Sequence, residues 1–260
     1  MLTTDFVTGA PNWLDLQSPD TEASAGFYSA VFGWDFQSAG PDAGGYGHFR
    51  KDGKTVAALG PLPWEDAPAA WTVHFQTSDA DATARAVEQA GGTVRVPPFD
   101  VRDTGRLSHL ADPSGAGFAV WQPGTVKGLE AVSDTNTLFW AELHTFDATG
   151  ALSFYRSLFG WRGREMKIGP MLYTVLSTAK GEEQAASFGG LVTVDGPGSQ
   201  ASWIPYFASD DTDAIETRVQ DNGGSLVAPS SDVPDRGRIA LLADPSGAAF
   251  AVINPAQPAA

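Results

Sequence analysis

In the segment PNWLDLQS, Trp13, Asp15 and Gln17 alternate with Leu14 and Leu16; in LFWAELHT, Trp140, Glu142 and His144 alternate with Ala141 and Leu143. Side chains two apart on a strand share a face, so each segment presents an indole and two polar groups together. Glu142 and His144 are the pair suited to acid–base chemistry, because an imidazole beside a carboxylate titrates near neutral pH. By the same parity Thr72, His74 and Gln76 share a face, as do Ala119 and Trp121, while Tyr46, His48 and Tyr173 fall on hairpin strands. The second half of the chain repeats two of these sets as Ile204, Tyr206 and Ala208, and as Ala251 and Ile253. Rings with a few isolated polar groups suit a flat, largely apolar ligand: rings stack and polar atoms fix orientation. The candidate ligand-binding residues are Trp13, Asp15, Gln17, Tyr46, Thr72, His74, Trp121, Trp140, Glu142, His144, Tyr173 and Tyr206, with Glu142 and His144 as the candidate catalytic pair.

Structural readings stand beside these. Trp13 and Trp140 equally fit a packing role. Trp71 and Trp203 fall on the opposite strand face and read as core. Asp15 and Glu142 could be structural if salt-bridged to Arg106 or Arg238, since a carboxylate facing a closed core is costly unless paired. His48 and His109 read as structural.

Internal repetition sets the framework. FYSAVFGW at 27–34 returns as FYRSLFGW at 154–161, an offset of 127. FDVRDTGRLSHLADPSGAGFAV at 99–120 returns as SDVPDRGRIALLADPSGAAFAV at 231–252, an offset of 132. The five extra residues belong in a longer hairpin around Lys180–Gln184. The expected organisation is module 1 over 1–123, a linker over 124–134 and module 2 over 135–260. Each module reads as strand, helix (Thr21–Phe32, capped by Ser18 or Asp20), hairpin about Asp52-Gly53, strand, helix (Asp79–Ala90) ended by Gly91-Gly92, then strands including Val94–Val96 and a pair joined by the DPSG turn. The class is α+β, with helices on one side of curved sheets.

The 260 residues carry 16 basic and 31 acidic side chains, a net charge of −15, and no cysteine. Disulfides, zinc ribbons, iron–sulfur clusters and thiol nucleophiles are excluded. The acidic balance, without basic clusters, argues against nucleic acid and anionic membrane surfaces. No apolar run approaches the roughly 20 residues of a membrane span, and the N-terminus lacks a basic and apolar leader, so a cytoplasmic location is expected. No GxGxxG, P-loop or GxSxG occurs, and Gly105 and Gly237 read as turn residues.

The ordered set of FYxxxFGW at a helix end, GG after a second helix and DPxG before a last strand resembles the glyoxalase/bleomycin-resistance superfamily, also called vicinal oxygen chelate (VOC) proteins. The resemblance covers about 10–122 and 137–253. GxPNWxDLQ and the paired DVxDxGR segments resemble a two-module actinobacterial group, labelled glyoxalase-like proteins, hydroxylases or culture-filtrate antigens, with some relatives in aromatic polyketide clusters. The resemblance implies a tandem duplicated fold in which paired βαβββ units form half-barrel sheets around a cavity. Metal-using members place His, Glu or Gln ligands at four strand positions. Here those positions fall on Trp13 and Trp140, on the hairpin strands Val56–Gly60 and Ala185–Gly190 without Glu or His, near Thr72 and Ile204, and on Ala119 and Ala251. Indole is not a metal ligand, and neither Ala nor Ile has a donor side chain. The expectation is therefore no metal and no cofactor, with a small aromatic or hydrophobic metabolite bound for sequestration or for an accessory step in secondary metabolism. The alternative is a lyase, isomerase or hydroxylase using Glu142 and His144, with or without a divalent metal. Two modules in one chain make a monomer sufficient; a homodimer stays open.

Overall fold

The computed structural model describes residues 2–63, 67–169, 171–195 and 200–256. The first repeat runs β1 (Pro11–Ser18), α1 (Thr21–Phe32), β2 (Asp35–Ser38), β3 (Gly47–Lys51), β4 (Lys54–Pro61), β5 (Ala70–Gln76), α2 (Ala80–Gln89), β6 (Thr93–Val101), β7 (Gly105–Ala111) and β8 (Gly117–Pro123). The second runs β9 (Leu138–Thr145), α3 (Ala148–Phe159), β10 (Arg162–Ile168), β11 (Met171–Ser177), β12 (Ser187–Thr193), β13 (Ser202–Ala208), α4 (Thr212–Asp221), β14 (Ser225–Val233), β15 (Gly237–Ala243) and β16 (Ala249–Pro255). Each repeat is βαβββ written twice, and the strand orders match: β2-β3-β4-β1-β5-β8-β7-β6 and β10-β11-β12-β9-β13-β16-β15-β14. The α+β class and the duplication are as expected from the sequence. Among the described residues no helix is long and apolar enough to cross a membrane.

All four helices begin the same way. Asp20, Asp79, Asp147 and Asp211 sit in extended backbone and accept from the amides of Ala23, Ala82, Gly150 and Ala214. Each satisfies an otherwise orphaned N–H, so Asp79 is a cap rather than the first residue of its helix. Gly33 and Gly160 close α1 and α3 at φ 70°, the left-handed conformation glycine adopts without strain. The strand β2 completes the βαβββ unit that the resemblance implies, at residues the sequence pattern did not mark, since its four residues are mostly exposed. The expected strand Val94–Val96 extends to Val101 through Pro97 and Pro98, with register shifts that let the prolines sit in an end strand of the sheet. The extra five residues lie between β11 and β12: Asp15 pairs with Ala58 and Glu142 with Gly190, so the offset changes within that hairpin.

By spatial contact the chain gathers into two units that cut across the repeats. One joins the residues up to Trp13 with Thr72–Gly128 and Trp140–Ile204; the other joins Leu14–Trp71, Leu129–Phe139 and the residues from Pro205 onward. Each unit has its own aromatic core. In the first, Tyr155, Trp161, Phe75, Phe118 and Phe188 are buried to below 2% exposure, with Trp203 at 3%. Trp203 Nε1 donates to Tyr155 Oη at 2.8 Å, and that hydroxyl donates to Asp112 Oδ2 at 3.3 Å. Trp161 Nε1 donates to the carbonyl of Gly9 at 2.9 Å. Gly9 is held at φ 79°, and a Cβ there would collide with the Trp161 and Phe159 side chains. In the second unit the pattern recurs. Trp71 Nε1 donates to Tyr28 Oη at 2.9 Å, Tyr28 donates to Asp244 at 3.2 Å, and Trp34 Nε1 donates to the carbonyl of Asn136 at 2.8 Å. Trp71 and Trp203 are thus core, as their strand face implied.

Burial pushes both phenols well above their ordinary pKa, and the carboxylate beside each adds to the effect. They remain donors. Asp244 is itself raised by burial, against the backbone amides of Ala248 and Ser246 that favour its charge. Tyr155→Phe leaves Trp203 and Asp112 without a shared partner and should cost about 1–3 kcal/mol of unfolding free energy, read from urea melts. Because Asp244 binds its proton more tightly folded than unfolded, its contribution favours the native state at low pH and fades as pH rises through the folded value. The native protein should therefore lose stability relative to Asp244→Asn as pH rises above the ordinary carboxylate value, seen as a drift in the difference between their urea midpoints.

Candidate functional site

In the unit containing β9, four of the expected residues meet. Trp140, Glu142 and His144 project from alternate positions of β9, and Tyr173 stands on β11, with β12 between. The register places Tyr173, Val192 and His144 in one row across the three strands, and Val175, Gly190 and Glu142 in the next. Tyr173 leans over Gly190 so that its hydroxyl donates to Glu142 Oε2 at 2.8 Å. The Trp140 indole N–H donates to the same hydroxyl oxygen at 2.9 Å. Glu142 Oε1 lies 3.1 Å from His144 Nε2. The side chains of His144 and Glu142 keep 19% and 12% of their surface exposed. Around them Val175, Val192, Met166, Ile168 and Val194 pack with Tyr173 and Trp140 into an apolar patch. A Cβ on Gly190 would strike the Tyr173 hydroxyl, so only glycine admits this bridge.

The first repeat builds the counterpart differently. Tyr46 donates to Asp15 Oδ1 at 2.9 Å, with the His48 ring 5.7 Å from that of Tyr46. Burial lowers the pKa of His48, against the opposing pull of Asp15. His48 was read as structural; its place on the register row His48–Ala58–Asp15 puts it on the polar face. Gln17 and Thr72 are half-buried on β1 and β5, and Tyr206 is buried on β13 beside Ala251.

In the unit containing β5 and β8, Trp13 stacks on Trp121 with ring centroids 6.3 Å apart, and the Trp121 indole donates to the Val126 carbonyl. His74, Ala119 and His109 form one row across β5, β8 and β7, and the two imidazoles are 6.0 Å apart. His109 was also read as structural. Strand parity alone could not place it beside His74, because that requires the register of β7 on β8.

The salt-bridge reading of the carboxylates is corrected. Arg106 spends its guanidinium on Asp81 at 2.8 Å and Asp100 at 2.9 Å, and Arg238 on Asp213 and Asp232. These arginines hold Asp81 and Asp213 below the ordinary carboxylate range, with Ser230 the larger cause at Asp213. The signal lay in the sequence: Arg, Asp and Asp recur together at the offset of 132.

None of the candidate residues lines either of two grooves on the surface. The larger, about 680 Å³, runs beside the start of α3 and is lined by Asp112, Pro113, Ser114, Phe146, Gly150 and Phe154 among others. The smaller, about 210 Å³, involves Val7, Ala10, Lys180 and Phe188.

The metal positions implied by the resemblance do not make a chelate. Trp140 is a hydrogen-bond donor to Tyr173, and Ala119 and Ala251 are fully buried methyl groups. Among the described residues no three His, Asp or Glu side chains converge. Glu142 and His144 supply two donors already bonded to each other, short of the several a divalent ion needs.

The sequence profile of the Glyoxalase/Bleomycin resistance protein/Dioxygenase superfamily matches residues 10–120. The chain is 37% identical over 258 residues to "Putative glyoxylase CFP32" of Mycobacterium tuberculosis, covering 97% of each. It is 40% identical over 270 residues to "Anthracycline biosynthesis protein DauV" of Streptomyces sp. (strain C5), covering 96% of this chain and 95% of that one. The Mn(II)-bound glyoxalase from Novosphingobium aromaticivorans shares the fold at a TM-score of 0.63 and 15% identity, covering 95% of this chain and 83% of that one.

Gly190→Ala should cost about 1–3 kcal/mol through displacement of Tyr173. The same change in a Tyr173→Ala background should cost much less, a coupling that a double-mutant cycle of urea melts reads directly. Gly60→Ala should be milder, since its Cβ meets the Tyr46 ring edge at 2.9 Å rather than a bonded hydroxyl.

Proposed function

The chain belongs to the Glyoxalase/Bleomycin resistance protein/Dioxygenase superfamily, and we propose that within it this protein binds a small, flat aromatic metabolite without a metal. The observation that carries the reading is the chain of bonds from Trp140 to Tyr173 to Glu142 to His144, set in an apolar patch. A carboxylate and an imidazole that satisfy each other and a phenol are organised as a hydrogen-bonding edge rather than as a ligand set. The surrounding valines, methionine and indole offer a surface on which a ring system buries apolar area, and the exposed edges of Glu142 and His144 orient it.

The relative named for anthracycline biosynthesis supports a polycyclic aromatic as the ligand class. The glyoxalase that holds Mn(II) shares only the fold, at 15% identity. The role this reading proposes is sequestration or an accessory part in a biosynthetic step, with the small molecule as the partner. A lyase, isomerase or hydroxylase built on Glu142 and His144 is the second reading, favoured by their 3.1 Å contact.

Titration with anthraquinone, followed by tryptophan emission, tests the first reading. Quenching should saturate with a micromolar Kd and should be unchanged by EDTA. Trp140→Ala should weaken binding about tenfold, equivalent to about 1.4 kcal/mol. Trp71→Ala, which removes a core indole, should lower stability and leave affinity near that of the native protein. Binding that vanishes with EDTA and returns with Mn²⁺ would overturn the metal-independent reading.

A further inference from the structure

The proton inventory of the Trp140–His144 network leaves one acceptor to assign. Trp140 Nε1 can only donate, so its bond to Tyr173 uses a lone pair of the phenol oxygen. The phenol proton then goes to Glu142 Oε2. Glu142 Oε1, an acceptor when ionised, takes the proton of His144 Nε2. This assignment, fixed by the network, makes His144 the tautomer with a bare lone pair on Nδ1. Among the described residues no hydrogen bond uses that nitrogen, and it is not among the atoms closed off from solvent.

Resting on the binding reading above, we infer that this site takes an aromatic ligand bearing an acidic hydroxyl, and that the hydroxyl proton passes to His144 Nδ1. The O–H bond of the ligand breaks, an N–H bond forms on the imidazole, and no electrons are exchanged with a third partner. The imidazolium keeps its Nε2–H on Glu142 and faces the new aromatic oxyanion through Nδ1–H. A carboxylate behind a histidine stabilises the imidazolium in this way.

Three observations select this ligand class. The four bonded residues include no Lys or Arg, and the guanidinium that shares their face, Arg164 at the far end of the Val175–Gly190–Glu142 row, is set against Glu183. The whole chain carries −15, which disfavours approach of an anion and favours entry of the neutral hydroxyl form. Along its row His144 has Val192 on β12, Tyr173 on β11 and Met166 on β10, with Glu142 on its own strand as the bonded carboxylate and Arg164 on β10 one same-face row away. The first repeat has Gln17 at the position of His144. An amide accepts a hydrogen bond but not a proton, so the equivalent position of the first repeat cannot make this transfer.

The test compares 1,2-dihydroxyanthraquinone with unsubstituted anthraquinone on the full-length chain and on His144→Gln, which installs the residue of the first repeat. The visible band of the hydroxylated dye separates its neutral and ionised forms. At a pH about one unit below the free dye's own transition, the dye bound to the native protein should show the ionised spectrum. Bound to His144→Gln it should stay neutral and bind about tenfold more weakly, while anthraquinone binds both proteins alike. A neutral spectrum on the native protein, or an ionised one on the variant, overturns the inference and leaves the binding reading standing. Absence of binding by either dye overturns both. The native spectrum can refute the inference by itself, so the test does not depend on the variant folding.

Discussion

Two buried phenols hold the cores together. Tyr28 and Tyr155 are each fully enclosed, accept an indole N–H and donate to an aspartate at the head of a DPSG turn. The aspartates are occupied in turn by the amides of their own turns, Ser114 and Ala116 for Asp112, Ser246 and Ala248 for Asp244. Burial keeps the phenols protonated, which is the state this geometry requires. A buried hydroxyl that lost either neighbour would leave an unsatisfied group at a cost comparable to a large share of the stability of a domain. In each knot the tyrosine comes from one repeat and the aspartate from the other. The pairing therefore dictates which halves of the repeats share a unit.

The aspartate caps, hairpin signals and FGW helix ends were legible because each has a local cause: a side chain reaching a nearby amide, or a left-handed residue ending a helix. The paired halves were not legible, since nothing local says that Tyr155 reaches a turn about forty residues earlier, at Asp112. Gly9 and Asn136 illustrate the limit. They stand 127 apart, both at positive φ, and both accept from the tryptophan of an FGW motif. Only one is a glycine, so a search for matching letters passes over the equivalence.

The candidate site was legible in composition and less so in connection. Strand parity placed Trp140, Glu142 and His144 on one face, where the structure has them bonded into a network with Tyr173. Parity could not say that Tyr173 would cross an intervening strand, because that depends on Gly190 having no side chain. Nor could it place His48 and His109, whose positions depend on register across neighbouring strands. Asp15 and Glu142 looked like salt-bridge partners because buried carboxylates need compensation. Their compensation comes from tyrosine hydroxyls, and the arginines serve other aspartates.

Duplication separates what must be kept from what is free to change. The core knots are the same in both units, down to the atoms that donate and accept. The polar faces keep the tryptophan and the tyrosine, Trp13 and Tyr46 against Trp140 and Tyr173, and differ around them: Asp15 against Glu142, Gln17 against His144, His48 against Val175, Ala58 against Gly190. The extra methylene of Glu142 and the missing methyl of Gly190 act together. One lengthens the carboxylate, the other clears the space in which Tyr173 meets it, and the result is a carboxylate that can hold a phenol and an imidazole at once. Asp15, with Ala58 beside it and no histidine two residues on, holds Tyr46 but has no imidazole partner on its strand. A carboxylate and an imidazole on one strand are therefore a feature of the second repeat, whereas in the first the histidine of the Asp15 row, His48, comes from the hairpin strand β3.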